Sequence, residues 1–245
     1  MATTTEPTTV VLVHGAFADA GSWVPVIERL LAAGIPVRAP GLPMRGLRSD
    51  SDYIASVISQ IPGPVLAVGH SYGGAVISNA ATQASNVTGL VLVSGFAPEE
   101  GEALSEAEGT SRDSALGPAL VQAQFPTGVG DETAIELYVD VAKFPAVFAA
   151  DLPEAQANAF AASQRPIAAS AFDEKSGPPA WKRLPTWSVV ATGDKAAGSD
   201  VLLSMARRAN AELLELEGSH LIMVSQPEPV TDVILRALEK VGASR

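Results

Sequence analysis

The 245-residue sequence contains no cysteine. This absence excludes disulfide bonds, thiolate metal sites and a cysteine nucleophile. Histidine is scarce as well, with three residues, His14, His70 and His220. They do not cluster in the sequence, so we expect no catalytic metal. Any imidazole chemistry must come from one of these three side chains.

Other absences limit the partners and the compartment. No apolar stretch approaches the ~20 residues of a membrane span, and the N-terminal residues lack the basic and apolar regions of a signal peptide. The net charge of −11 argues against binding of a phosphate backbone. We therefore expect no nucleic-acid or membrane partner, and a cytoplasmic location by default. The sequence leaves the oligomeric state open.

The chain also lacks a Gly-x-Gly-x-x-Gly motif after its first predicted strand, so we expect no dinucleotide and no other cofactor. What it does contain is typical of a globular chain, because 47% of its residues are hydrophobic. A chain of this length can bury a full core within one α/β domain.

Short apolar runs alternate with helical patterns in both halves of the chain. Predicted strands lie at 9–13, 35–39, 65–68, 87–94, 187–191 and 212–216. Amphipathic helical stripes separate most of them, as in the segment that Gly34 ends as a C-cap. Strict alternation of strand and helix predicts a mostly parallel, doubly wound sheet.

Residues 99–179 interrupt this alternation, since they contain no convincing strand. Helix starts are predicted at Asp131-Glu132 and at Pro153-Glu154. We interpret the segment as a helical cap inserted between two core strands, with the core formed by 1–98 and 180–245. Such an insertion lies above the carboxyl ends of the strands, where ligands bind. A purely structural excursion is the alternative.

A serine occupies the apex of the tightest predicted turn. The buried run 65–68 ends at Gly69-His70-Ser71-Tyr72-Gly73, and a helix of small residues follows. A Gly-x-Ser-x-Gly pattern between a strand and a helix is the nucleophile elbow of hydrolytic enzymes. We therefore predict that Ser71 is a nucleophile.

A serine nucleophile needs a base and a carboxylate that orients it. His70 should point away from the hydroxyl and His14 should brace its own loop, so His220, after a late strand, is the predicted base. Asp194 follows the preceding strand and gives the order Ser, Asp, His. Asp200 and Glu99 remain rival acids.

The remaining parts of the site are an oxyanion hole and a pocket. The predicted donors are the backbone N–H groups of Tyr72, directly after the nucleophile, and of Ala16, in the loop after the first strand. Predicted pocket residues are the aromatic side chains of Phe17, Phe125, Phe144 and Phe148. Each of these phenylalanines could instead be ordinary core.

Four sequence motifs resemble those of small bacterial α/β-hydrolases related to carboxylesterases. They are Val-Leu-Val-His-Gly-Ala-Phe (11–17), Gly-His-Ser-Tyr-Gly-Gly (69–74), Phe-Ala-Pro-Glu-Glu-Gly-Glu (96–102) and Gly-Ser-His-Leu-Ile-Met-Val-Ser-Gln-Pro (218–227). The chain is more distantly similar to plant methylesterases and hydroxynitrile lyases. The resemblance implies an α/β-hydrolase fold, a triad of Ser71, His220 and Asp194, and oxyanion donors at Ala16 and Tyr72.

The chain departs from this family after the acid. These enzymes commonly continue with an apolar residue and a proline, whereas this chain continues with Lys195-Ala196-Ala197-Gly198-Ser199. The departure keeps Asp200 open as the acid. The primary hypothesis is hydrolysis of a small, apolar carboxylic ester through an acyl-enzyme. A lyase on the same triad and a non-catalytic receptor for a small ligand are the alternatives.

Overall fold

The computed structural model describes residues 6–243. The strands are β1 (Thr9–Val13), β2 (Val37–Arg38), β3 (Val65–His70), β4 (Val87–Val93), β5 (Leu120–Pro126), β6 (Thr133–Val139), β7 (Ile167–Ala168), β8 (Thr186–Ala191) and β9 (Glu212–Leu216). The helices are α1 (Val24–Ala32), α2 (Leu47–Ser59), α3 (Tyr72–Ala80), α4 (Leu104–Glu108), α5 (Phe144–Phe148), α6 (Glu154–Ser163), α7 (Ser170–Asp173), α8 (Ser199–Arg208), α9 (Ile222–Ser225) and α10 (Pro227–Ala243). Short 3-10 turns lie at Ala20–Trp23, Gly117–Ala119 and Ala180–Lys182.

Six strands form the central sheet in the order β2-β1-β3-β4-β8-β9, and each neighbouring pair is parallel. The central strands β1, β3 and β8 are buried at every residue. This burial explains their nearly continuous apolar sequences, since helices cover both faces of such a sheet. The predicted parallel, doubly wound sheet is confirmed.

The order of the strands determines where a site can form. The chain runs from β1 outward to β2 and then returns to β3 on the other side of β1. This reversal opens a crevice between the carboxyl ends of β1 and β3, which is where open α/β sheets bind ligands. In the register of the sheet Val13 lies beside Gly69, so His14 and Ser71 follow at the same edge.

The carboxyl ends of β8 and β9 meet at the same edge of the sheet. Ala191 pairs with Leu216, so the loops that carry Asp194 and His220 begin side by side. The two strands are joined through α8, whose apolar side contacts β8. Two residues far apart in sequence are thus brought together by adjacent parallel strands.

The insertion between β4 and β8 corrects the sequence prediction of a helical cap. It contains α4 to α7, but also a second sheet in which β5, β6 and β7 pair antiparallel. The helix start predicted at Asp131-Glu132 is wrong, because these residues lie in the turn between β5 and β6. The start predicted at Pro153-Glu154 is confirmed by α6.

The missed strands have a physical explanation. β5 reads Leu-Val-Gln-Ala-Gln-Phe-Pro and is only partly buried along its length. Its Gln and Ala residues favour helix as much as strand, so pairing with β6 rather than local propensity decides its conformation. Within residues 6–243, no helix combines the length and the apolarity needed to cross a bilayer.

Candidate active site

Ser71 lies at the apex of a strained turn between β3 and α3. Its backbone has φ +52° and ψ −124°, a region that a residue with a side chain rarely occupies. The turn is so tight that a Cβ at Gly69 would lie 2.4 Å from the Gly73 carbonyl oxygen. A Cβ at Gly73 would lie 2.5 Å from the Val13 carbonyl oxygen. Glycine at both positions therefore lets α3 approach the sheet and places Ser71 at the N-terminus of the helix.

His220 and Asp194 form a buried pair. Nδ1 of His220 lies 2.6 Å from Oδ2 of Asp194, and the two side chains are 1% and 0% exposed. Because a carboxylate only accepts hydrogen bonds, Nδ1 must carry the proton of a neutral imidazole, which leaves Nε2 with a free lone pair. The other carboxylate oxygen, Oδ1, accepts hydrogen bonds from the Ala196 and Ala197 amides, at 3.0 Å each.

The rival carboxylates have other partners. Asp200 accepts hydrogen bonds from the Ser111 hydroxyl at 2.6 Å and from the Arg112 amide at 2.9 Å. Partial burial alone would raise the pKa of this carboxyl, but these hydrogen bonds lower the pKa of Asp200 to about 2. Glu99 forms a 2.5 Å ion pair with Lys182. The structure therefore brings Asp194, and neither rival, to His220.

The other two histidines hold backbone segments of the site. His70 is fully buried, and its Nε2 donates to the His220 carbonyl oxygen at 2.9 Å. Burial, together with the neighbouring His220, holds the pKa of His70 well below its usual value of 6.5. His14 accepts a hydrogen bond from the Leu42 amide at 2.9 Å, while its Nδ1 donates to the Gly15 carbonyl oxygen at 2.9 Å. Burial also lowers the pKa of His14.

Two backbone amides near Ser71 have no acceptor. In the described part of the chain, neither the Ala16 N–H nor the Tyr72 N–H donates a hydrogen bond. The next amide, that of Phe17, is occupied by the Arg165 carbonyl oxygen at 3.1 Å. The Tyr72 ring is buried, and its hydroxyl donates to Oδ2 of Asp50 at 2.8 Å. This hydrogen bond anchors the residue directly after Ser71.

A cavity of about 350 Å³ lies over Ser71. Ala16, Ser71 and His220 line it from the core, and cap residues cover it from the other side. Several of its apolar lining residues were not predicted from the sequence: Phe96, Leu116, Leu120, Leu137 and Phe172. Phe96 could have been predicted, because it opens the Phe-Ala-Pro-Glu-Glu-Gly-Glu motif (96–102). The others belong to cap elements whose fold the sequence did not reveal.

The four predicted pocket phenylalanines separate into two groups. Phe17 and Phe148 line the cavity. Phe125 and Phe144 are not among its lining residues. The ring of Phe125 instead lies under the Arg45 guanidinium, whose Cζ is 3.9 Å from the ring centroid. The side chain of Phe125 on β5 therefore faces the core loop that carries Arg45. Phe144 is fully buried and stacks on Phe148 with ring centroids 4.8 Å apart.

The polar part of the cavity lining carries negative charge. Its two ionisable residues besides His220 are Glu108, at the end of α4, and Asp173, at the end of α7; the described lining includes no lysine or arginine. Over residues 6–243, no group of three or more His, Asp or Glu side chains is arranged to hold a metal ion. The polar groups that line the cavity include the Ser71 hydroxyl, the His220 imidazole and the carboxylates of Glu108 and Asp173.

Comparison with known sequences identifies one family. A model of the alpha/beta hydrolase family matches residues 10–233, which is most of the chain. No curated protein sequence matches the chain significantly.

Solved structures with the same fold are similar over nearly their whole length. Polyneuridine aldehyde esterase superposes with a TM-score of 0.79 at 19% identity, covering 95% of this chain and 99% of that chain. An extracellular alpha/beta-hydrolase from a Paenibacillus species, which shares structural and functional homology with tobacco salicylic acid binding protein 2, gives 0.76 at 20% identity, with 94% and 99% covered. Tomato methylketone synthase I, complexed with 2-tridecanone, gives 0.75 at 21% identity, with 96% and 99% covered.

Proposed function

Because the chain belongs to the alpha/beta hydrolase family, we propose that it is a cofactor-free serine hydrolase that cleaves small, uncharged carboxylic esters. The observation that carries this proposal is the buried hydrogen bond between His220 and Asp194 at the cavity that Ser71 also lines. A hydroxyl on a strained turn, a base with its free nitrogen and an orienting acid are the three parts that acyl transfer requires.

The proposed reaction has two steps. Ser71 Oγ attacks the ester carbonyl while Nε2 of His220 takes the hydroxyl proton, and Asp194 stabilises the imidazolium that forms. The protonated His220 then gives this proton to the leaving alcohol as the carbon–oxygen bond breaks. In the second step His220 deprotonates a water molecule, which attacks the acyl-enzyme carbonyl. His220 then returns this proton to Ser71 Oγ as the acyl–oxygen bond breaks, and the carboxylic acid is released.

The two unoccupied amides support the same proposal. Each tetrahedral intermediate places a negative charge on the former carbonyl oxygen. The Ala16 and Tyr72 N–H groups, which have no acceptor within the described residues, are the proposed donors to that oxygen. The hydrogen bond that the Tyr72 hydroxyl donates to Asp50 fixes the second donor, and the His14 hydrogen bonds brace the loop of the first.

The cavity supports a preference for apolar, uncharged substrates. Most of its lining is aromatic and aliphatic, including Phe17, Phe148 and Phe172. Its carboxylates, Glu108 and Asp173, would repel a substrate that already carries a negative charge. They would also favour departure of the carboxylate product after hydrolysis.

The same lining argues against the lyase alternative. A cyanohydrin lyase must stabilise a leaving cyanide anion, which a lysine or arginine beside the base would favour. The described lining carries two carboxylates and no lysine or arginine. We therefore favour the hydrolase over a lyase on the same triad.

A substrate panel tests the proposed function. The protein is assayed with p-nitrophenyl esters of increasing acyl length and, in parallel, for release of cyanide from mandelonitrile. We expect ester turnover that disappears in His220→Ala, and no cyanide release above the uncatalysed rate. Cyanide release that depends on His220, without ester turnover, would instead support the lyase. No turnover of either kind, with ester binding intact, would support a receptor.

A further inference from the structure

The sequence of the loop that carries Asp194, the proposed acid, does not by itself restrain the conformation of that loop. Asp194 is followed by Lys195, Ala196, Ala197 and Gly198, which are small or flexible residues without a proline. Yet this loop must be ordered, because the Ala196 and Ala197 amides are the donors to Oδ1 of Asp194. Something outside the loop must therefore restrain it.

The cap supplies that restraint through residues 111–115, which we call the clamp segment. At its C-terminal end, the Ala115 amide donates to the Lys195 carbonyl oxygen at 2.7 Å. The Ser114 hydroxyl lies 2.9 Å from the Ala196 carbonyl oxygen and 2.5 Å from Oε1 of Glu108. These contacts join the clamp segment to the two residues directly after Asp194.

The N-terminal end of the clamp segment binds the far side of the same loop. Oδ2 of Asp113 accepts hydrogen bonds from the Ser199 hydroxyl at 2.7 Å and from the Asp200 amide at 3.1 Å, where α8 begins. In return, the Asp200 carboxylate accepts from the Ser111 hydroxyl and from the Arg112 amide. Each segment therefore donates hydrogen bonds to a carboxylate of the other, as in a helix capping box. Here one segment belongs to the cap and the other to the core.

The fit between the two segments is close. A Cβ at Gly198 would lie 2.0 Å from the Ser111 Oγ, and Gly198 has φ +86°. Only glycine combines this approach with that conformation. The residues after Asp194 therefore suit contact with the clamp segment.

We propose that the clamp segment positions Asp194, and through it His220, so that the cap is part of the catalytic machinery as well as a cover for the cavity. Asp113 and Ser111 are then positioning residues, and their expected effect on kcat rests on the proposed function. Ala196, Ala197 and Leu116, which lie in or next to the two segments, also line the cavity. Substrate contact and orientation of the acid thus involve the same pair of segments.

The test compares variants of the clamp segment in the full chain. Ser111→Ala combined with Asp113→Ala removes one donor and one acceptor of the clamp, and should lower kcat about tenfold to a hundredfold with KM little changed, since small misplacements of a catalytic group cost this much. Asp113→Asn retains a carbonyl acceptor and should stay within about threefold of wild type. Asp131→Asn changes an exposed side chain in the β5–β6 turn of the cap, outside the clamp segment, and is the matched control.

A second readout separates this inference from the proposed function. The proton between His220 Nδ1 and Asp194 Oδ2 should give a far-downfield resonance in the proton NMR spectrum of the wild type, whether or not esters are turned over. We expect the double variant to lose or broaden this signal while its melting temperature stays near that of Asp131→Asn. If the double variant unfolds, kcat and the downfield resonance are measured instead on the single Ser111→Ala and Asp113→Ala variants. An unchanged resonance together with unchanged kcat, or equal losses in Asp113→Asn and Asp113→Ala, would overturn the proposal.

Discussion

The ring of Phe148 stands edge-on against the imidazole of His220, with ring centroids 4.6 Å apart at an interplanar angle of 74°. Phe148 belongs to α5 in the cap, whereas His220 follows β9 in the core. The two segments are also joined through the backbone, because the Leu221 amide donates to the Phe148 carbonyl oxygen at 3.3 Å. The cap therefore contacts the proposed base directly.

This contact predicts different outcomes for two neighbouring phenylalanines. Phe148→Ala enlarges the cavity and should shift the preferred acyl chain of p-nitrophenyl esters to greater length. Phe144→Ala removes a fully buried ring that is not among the cavity-lining residues. It should cost about 3–5 kcal/mol of unfolding free energy and leave the preference unchanged. Chemical denaturation and a chain-length profile on both variants check this; identical profiles in both would contradict it.

The core and the triad candidates could be predicted because their signals are local. β1 and β3 are buried on both faces, which gives unbroken apolar runs. The glycines around Ser71 are required by contacts within a few residues and with the end of β1. With three histidines in the chain, elimination was enough to single out His220.

The fold of the cap, and the choice between Asp194 and Asp200 as the acid, depend on contacts between segments that are distant in sequence. Asp194 and Asp200 flank one short loop, and the structure separates them through Ser111 and Arg112, nearly ninety residues earlier. No local pattern reveals that contact. The β5–β6 pairing was missed for the same reason, since half-exposed strands rich in Gln and Ala carry little periodic signal.

The two aspartates of this loop should differ strongly in their contribution to turnover. Asp194→Asn preserves the shape of the side chain but allows the wrong tautomer of His220, at a cost of about 10³–10⁴ in kcat. Asp200→Asn weakens only contacts with the clamp segment and should cost about tenfold. Steady-state kinetics of both variants measure the difference. A larger loss in Asp200→Asn would move the acid to that residue.

The carboxylates of the cavity predict charge selectivity. An ester with a terminal carboxylate on its acyl chain should react with a kcat/KM at least about tenfold lower than that of its neutral analogue of equal length. Added salt should reduce this difference in kcat/KM, because salt screens the repulsion. Glu108→Gln should reduce the discrimination. Glu100→Gln, which removes an exposed carboxylate that does not line the cavity, is the control. Equal discrimination in all three proteins would show that Glu108 does not set it.

The buried carboxyl of Asp50 should make the free energy of unfolding depend on pH. Burial raises the pKa of Asp50 above its usual value of 3.8, although its hydrogen bond with Tyr72 opposes the shift. Because the folded state then holds the proton more tightly than the unfolded state, this group stabilises the fold below about pH 4 and loses that contribution as the pH rises through the raised pKa.

Replacement of Asp50 should remove this dependence. Asp50→Asn should gain stability relative to wild type between about pH 4 and pH 7, as followed by urea denaturation across that range. Asp52→Asn, at an exposed position of the same helix, should show no such trend. A stability difference for Asp50→Asn that is constant over the range would contradict the assignment.

Covalent labelling tests whether Ser71 is the nucleophile. A serine-directed phosphonate ester is incubated with wild type, with Ser71→Ala and with Ser78→Ala, and the mass of each intact protein is measured. Ser78 lies on the same helix, and its buried hydroxyl has no partner in the described structure, so it is the matched control. We expect one label on wild type and on Ser78→Ala, and none on Ser71→Ala, whose ester turnover should fall by about 10⁵-fold or more. A label that persists on Ser71→Ala would show that the nucleophile is another residue.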